Sequence, residues 1–185
     1  YDVKTSGRWQ SDADYWIKNQ DKIKAGGINF HKLIKGGNNN YRSATPPDDP
    51  EFFKQMKEKL NIQNLITLQS GRVSAKSNYK TGKARFSGHG AVKAATEAGW
   101  NVLYLPSNDD GNVLRIGFPK TEEGTKANFK KIKDMLDGGN TLIHCQHGAD
   151  RTGGTIGAYY VTKGMDPQEA LKDAYKYKSG GKSQF

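Results

Sequence analysis

The chain has 185 residues, 34% of them hydrophobic, and carries 29 Lys+Arg against 19 Asp+Glu for a formal net charge of +10. That length makes one ordinary domain, able to bury about 70% of its unfolded surface without staples. The single cysteine, Cys145, excludes an intrachain disulfide framework and any multi-cysteine zinc site. No apolar run approaches the ~20 residues that span a bilayer. A field of positive sign attracts polyanions such as nucleic acid, acidic membrane surfaces or small phosphorylated substrates, although charge also serves plain solubility.

In chain order, residues 1 to 40 are polar and broken by Gly26-Gly27, Gly36-Gly37 and Asn38-Asn39-Asn40. Trp9, Tyr15, Trp16, Ile23, Ile28, Phe30, Leu33 and Ile34 are scattered anchors, which suggests an arm with a short helix near 12 to 24, packed on a main body over 41 to 185. Asp49-Pro50 reads as an N-cap followed by proline at the first helical position. Phe52, Phe53, Met56 and Leu60 then keep helical spacing. Ile62 to Leu68 is a short β-branched apolar run and predicts a strand, as does Asn101 to Leu105. Residues 72 to 96 read as a basic loop, with Arg72, Lys76, Lys80, Lys83, Arg85 and Lys93, His89, and no Asp or Glu.

Thr121 to Leu136 predicts a helix with Ala127, Phe129, Ile132 and Leu136 on its inner side, ended by Gly138-Gly139. Thr141 to Ile143 predicts a third buried strand, and Thr152 to Lys163 a helix closed by Gly164. Asp166-Pro167-Gln168-Glu169 has the layout of a capping box, opening a last helix that runs to about Tyr177. Strands alternating with helices predict an α/β domain with a mainly parallel sheet.

One segment carries chemistry: His144-Cys145-Gln146-His147-Gly148-Ala149-Asp150-Arg151-Thr152-Gly153, between a predicted strand and a predicted helix. That context gathers successive backbone N–H groups and a helix N-terminus around one point, which suits phosphate oxygens. A thiol there is favoured as its thiolate, the nucleophilic form, by the positive helix end and a nearby guanidinium. Arg151 can clamp two phosphate oxygens with its planar fork. Read as metal ligands, His144, Cys145 and His147 would make a poor zinc site, so no metal is expected.

The run His144-Cys145-x-x-Gly148-x-x-Arg151-Thr152-Gly153 resembles the signature of the cysteine-dependent protein tyrosine phosphatase superfamily. With Tyr41-Arg42-Ser43 and the strand near Ile66, the resemblance extends over roughly residues 28 to 178, to small bacterial dual-specificity-like members. It implies the tyrosine-phosphatase-like fold and a two-step, cofactor-free hydrolysis in which Cys145 forms a phosphocysteine. Loop amides from Gln146 to Arg151, through His147, Gly148, Ala149 and Asp150, would hold phosphate oxygens with the Arg151 side chain. Thr152 would hydrogen-bond the sulfur, and His144 would brace the loop from behind. The general acid is expected in Leu105-Pro106-Ser107-Asn108-Asp109-Asp110-Gly111, where Asp110 is the first choice and Asp109 the reserve. Arg42 is expected to form a structural ion pair.

For substrate, the +10 charge and the basic segment favour an inositol polyphosphate such as phytate, with Arg72, Lys80, Lys83 and Arg85 meeting the extra phosphates. His147 and Asp150 could modulate such recognition. A phosphotyrosine or dual-specificity protein phosphatase, acting on a phosphoprotein, is the alternative. A polyanion-binding module without catalysis is a third reading, though no nucleic-acid motif is present. A chain that opens at Tyr1, with its lone cysteine, leans towards an exported protein.

Overall fold

A computed structural model describes residues 29–46, 50–69, 88–110, 113–116, 121–146 and 148–177, with the backbone alone at 88–89, 108–110 and 113–115. The helix expected near 12 to 24, most of the basic segment, Asp49 and His147 lie outside these residues.

The elements in chain order are β1 (His31–Lys32), β2 (Tyr41–Ser43), α1 (Pro50–Leu60), β3 (Asn64–Thr67), α2 (Gly88–Glu97), β4 (Asn101–Tyr104), β5 (Asn108–Asp110), β6 (Val113–Arg115), α3 (Glu122–Gly138), β7 (Thr141–His144), α4 (Asp150–Thr162) and α5 (Pro167–Tyr175). The main sheet has the order β1-β2-β7-β3-β4, and β5 and β6 form a separate hairpin. Strands β2, β7, β3 and β4 are parallel, and β1 adds an antiparallel edge. The expected α/β fold with a mainly parallel sheet is therefore present.

Alternation along the central strands sorts the core into two layers. Leu65 of β3 and Leu142 of β7 point to a cluster with Phe52, Phe53, Met56, Ala91, Ala94 and Ala95 of α1 and α2. Their neighbours Ile66 and Ile143 point the other way, to Ile132 and Leu136 of α3, Ile156, Tyr159 and Tyr160 of α4, and Ala170 of α5. Strand β7 is buried along its whole length, which is why Leu142 and Ile143, on opposite faces, are both apolar instead of alternating with an exposed polar residue. Each fully buried Leu, Ile or Phe here contributes about 1.5–3 kcal/mol relative to exposure.

The helix ends follow from local chemistry. Thr121 is the N-cap of α3 and accepts from the Gly124 N–H at 3.1 Å. Asp166 caps α5 by accepting from the N–H groups of Gln168 (3.0 Å) and Glu169 (3.2 Å), with Pro167 in the first turn. The Asn38–Asn40 run serves as more than a breaker. Asn40 donates to the Leu136 carbonyl at the end of α3 (2.8 Å) and accepts from the Thr141 N–H at the start of β7 (3.2 Å), which ties those two elements together.

Two expectations are corrected. Residues 88–96, read as part of the basic loop over 72 to 96, belong to helix α2 (Gly88–Glu97). Its buried side is Ala91, Ala94 and Ala95, whose small side chains give a weak periodic signal. Ala127 is exposed, so the inner side of α3 rests on Ile132 and Leu136 with Phe129 half-buried. Of the segment read as an arm, residues 29–40 are described: Phe30 is fully buried and β1 pairs with β2.

Candidate functional site

The parallel register sets the place of the site. Ser43 of β2, His144 of β7 and Thr67 of β3 are aligned across the sheet, and Tyr104 of β4 is aligned with Thr67. Four strands thus end at one level, and the segments that follow them converge there: Ala44-Thr45, Cys145 to Ala149, Leu68-Gln69 and Leu105 to Ser107. Ligand sites of parallel α/β sheets lie at this end.

Cys145 is the first residue after β7, only 2% exposed, and a free thiol. It opens a short loop that enters α4 at Asp150. The hydrogen-bond ladder of α4 opens with the Gly153 N–H donating to the Ala149 carbonyl at 2.8 Å. An α-helix leaves the N–H groups ahead of that bond without an intrahelical partner. Those are the amides around the loop, and the positive end of the helix dipole lies with them.

Gly148 is required by the loop's path. Its φ is +69°, and a Cβ there would lie 2.5 Å from the Ser43 carbonyl carbon and 2.6 Å from the Ala44 nitrogen. Both atoms are backbone at the end of β2, so neither can give way. The loop is pinned on this side a second time by Thr45. Its N–H and its hydroxyl each reach the Gln146 carbonyl at 3.2 Å, while the hydroxyl lies 2.6 Å from Gln69 Oε1.

His144 braces the loop from inside the sheet. It is fully buried, with Nδ1 3.1 Å from the Cys145 carbonyl and Nε2 3.0 Å from Thr67 Oγ1. A carbonyl can only accept, so Nδ1 carries the proton and Nε2 accepts from the Thr67 hydroxyl. Burial pushes the His144 pKa down to about 4, and the Arg151 charge adds to that shift. The ring is therefore neutral near pH 7 and acts as a fixed strut rather than a proton carrier.

Arg151 stands in the first turn of α4, half-buried. Its Nη1 donates to the carbonyls of Leu68 (3.3 Å) and Ser107 (3.2 Å), just past β3 and β4. The signature arginine is thereby tied to the segment expected to carry the general acid. Ser107 leads directly into β5, where Asp109 is paired with Leu114 and Asp110 with Val113 of β6. Asp110 is three residues beyond Ser107, a span of at most about 11 Å.

The sulfur bond expected of Thr152 is not formed: its hydroxyl is buried and has no hydrogen-bond partner among the described residues. Nor does Asp150 cap α4 through its side chain, since the N-cap position belongs to Ala149, which makes no side-chain cap bond. Arg72, Lys80, Lys83 and Arg85 fall outside the described residues, as does His147 of the loop.

The largest correction concerns Arg42. No carboxylate lies within ion-pair distance of it among the described residues. Instead its Nη2 donates to the Gly148 carbonyl at 2.9 Å, and the side chain is 1% exposed. Thr67, Thr45 and Gln69 are further site residues that sequence reasoning did not single out. Their position just before or after strand ends was the only signal available.

No family model and no curated protein sequence matches the chain. Solved structures do match. TpbA of P. aeruginosa is 20% identical, with 83% of this chain and 77% of that chain covered and a TM-score of 0.50. The core catalytic domain of the PP-IP phosphatase SIW14 from S. cerevisiae is 18% identical, covering 83% and 80% with a TM-score of 0.50. Tk-PTP in its active form is 19% identical, covering 80% and 84% with a TM-score of 0.52. At this identity the likeness is one of fold, and the chain has the tyrosine-phosphatase-like fold.

Proposed function

We propose that this chain hydrolyses phosphate monoesters without a metal, through a phosphocysteine, and that its preferred substrate is an inositol polyphosphate. The observation that carries the reading is the loop from Cys145 to Arg151. It combines a thiol at the end of a buried parallel strand, free amides at a helix N-terminus and a guanidinium in that helix's first turn.

The steps balance with these residues. The Cys145 thiolate attacks phosphorus in line, a sulfur–phosphorus bond forms, and the bond to the leaving oxygen breaks. Asp110, in its protonated form, gives that oxygen a proton. Loop amides and Arg151, turned onto the phosphoryl group, hold the equatorial oxygens and their charge. Water then attacks phosphorus and gives a proton back to Asp110, and the thiolate leaves. Thr152, whose buried hydroxyl has no hydrogen-bond partner among the described residues, is suited to donate to the sulfur in that second step.

The substrate preference rests on charge. The net charge is +10, and residues 72 to 96 carry Arg72, Lys80, Lys83 and Arg85 with no acid among them. Each extra phosphate met by such a cation adds a charge-assisted contact of about 1.5–3 kcal/mol. The part of the segment ahead of α2 follows β3, whose end lies at the level of the loop. The same fold serves the PP-IP phosphatase SIW14.

Phosphate release measured side by side on inositol hexakisphosphate, a phosphotyrosine peptide and an aryl phosphate, all with a chelator present, tests the reading. The expected result is turnover of all three or of the first and last, with the highest kcat/KM on the inositol polyphosphate. A higher kcat/KM on the peptide would move the chain to the protein phosphatases. Activity that vanishes with chelator would refute the metal-independent mechanism.

A further inference from the structure

Arg42 is among the largest fully buried side chains in the described residues, and it makes no ion pair with a described carboxylate; Asp173 acts on it only through space. One nitrogen, Nη2, donates to the Gly148 carbonyl, while Nε and Nη1 have no hydrogen-bond partner among the described residues. Burial lowers its pKa from the ordinary arginine value, but a guanidinium starts so high that it stays charged at any working pH. The Tyr177 ring lies 5.2 Å from the guanidinium carbon and offsets part of the lost hydration. That ring is itself stacked on His31, centroid to centroid 3.5 Å, and the Tyr177 carbonyl accepts from the Asn29 side chain at 2.9 Å. The guanidinium is therefore held in one orientation by packing on one side and by the loop carbonyl on the other.

A buried charge of this kind is a poor device for stability, because an apolar side chain of similar size is cheaper to bury. It becomes intelligible if an anion arrives nearby. The groups whose negative charge would support the charged state of Arg42 are Tyr160, Cys145, Tyr177 and Asp173, so the site's nucleophile is one of those within its electrostatic reach. Arg42 acts from the β2 side of the loop, and Arg151 is anchored on the β3 and β4 side at Leu68 and Ser107.

We propose that Arg42 is a positioning residue of the phosphate loop. Its bond to the Gly148 carbonyl holds that peptide so that the loop's amides stay free for phosphate, and its charge, which forms no ion pair among the described residues, supplies a second cation for the bound anion. This deepens the proposed function and rests on the same loop being a phosphate site.

The test uses the whole chain and inorganic phosphate as the probe, so that it does not depend on turnover. Phosphate binding is titrated by calorimetry for wild type, Arg42→Met, Arg42→Gln and Arg42→Lys, alongside thermal melting and kcat and KM on an aryl phosphate. Arg42→Met removes both the charge and the donor, and its phosphate Kd should rise about tenfold or more, with KM rising in parallel. Arg42→Lys keeps both and should recover most of the loss. If Arg42→Met does not fold, Arg42→Gln decides, because it keeps a donor and loses only the charge. A purely structural role would lower the melting temperature and leave Kd in place. A folded Met or Gln variant with phosphate Kd within about twofold of wild type therefore overturns the assignment. The two readings fail separately. Wild type that binds phosphate but turns over no ester contradicts the activity alone, whereas active wild type with unchanged Arg42 variants contradicts only this inference.

Discussion

The placement of Cys145 and Arg151 was legible from residue type and spacing: a thiol and a guanidinium bracket a loop between a strand and a helix. The contact of Arg42 was not, because it is made to a carbonyl 106 positions away in the chain, which no local pattern encodes. The same holds for Thr67, whose hydroxyl matters only because register sets it beside His144. The general acid is the residue assignment most open to test. Asp110→Asn should lower kcat by about 10²–10⁴ on an alkyl phosphate, whose leaving oxygen needs a proton. The loss should be far smaller on an aryl phosphate with an acidic phenol. If Asp109→Asn gives that leaving-group pattern and Asp110→Asn does not, the acid is one residue earlier.

Elements with a strong local signal were found near their observed limits. Helix α3 was expected over 121 to 136 and runs Glu122–Gly138, and β7 was expected over 141 to 143 and runs Thr141–His144. Helix α2 was missed because alanines at 91, 94 and 95 bury one face without large side chains to mark it. Strands β1 and β2 and the β5–β6 hairpin are two or three residues each, too short for alternation to show. The cap of α5 was legible and is open to measurement. Asp166 accepts from two N–H groups that the helix cannot satisfy itself, so Asp166→Ala should lower the unfolding free energy by about 0.5–2 kcal/mol. Urea titration measures this, and Asp166→Asn, which caps nearly as well, should lose much less.

At the scale of the molecule, the sheet's parallel order puts four strand ends at one level, and two buried imidazoles sit beside that frame. Burial, with the Arg42 and Lys176 charges, pushes the His31 pKa down to about 4, and His144 is likewise at about 4. In the unfolded chain both return to about 6.5. Between those values the unfolded state binds more protons than the folded one, so stability rises with pH through the window. It is complete above about pH 6.5 and falls as the pH drops towards 4. Asp137, held well below the usual carboxylate range by Lys133 and Lys163, stays ionised in the fold throughout and adds a small contribution of the same sign only near pH 4, where its unfolded form begins to bind a proton. The urea midpoint should therefore be clearly lower at about pH 4.5 than at pH 7, and an unchanged midpoint would contradict a neutral, buried pair.

The phosphocysteine is the claim on which the functional account turns, and trapping it is the most direct test. Wild type mixed with an aryl phosphate and quenched in acid during turnover should yield a Cys145-containing peptide carrying one phosphate by mass spectrometry. Cys145→Ser should show neither the label nor turnover above about 1% of wild type, since a serine hydroxyl is not ionised near neutral pH. Turnover that persists in Cys145→Ser, or phosphate found on another residue, would contradict the account.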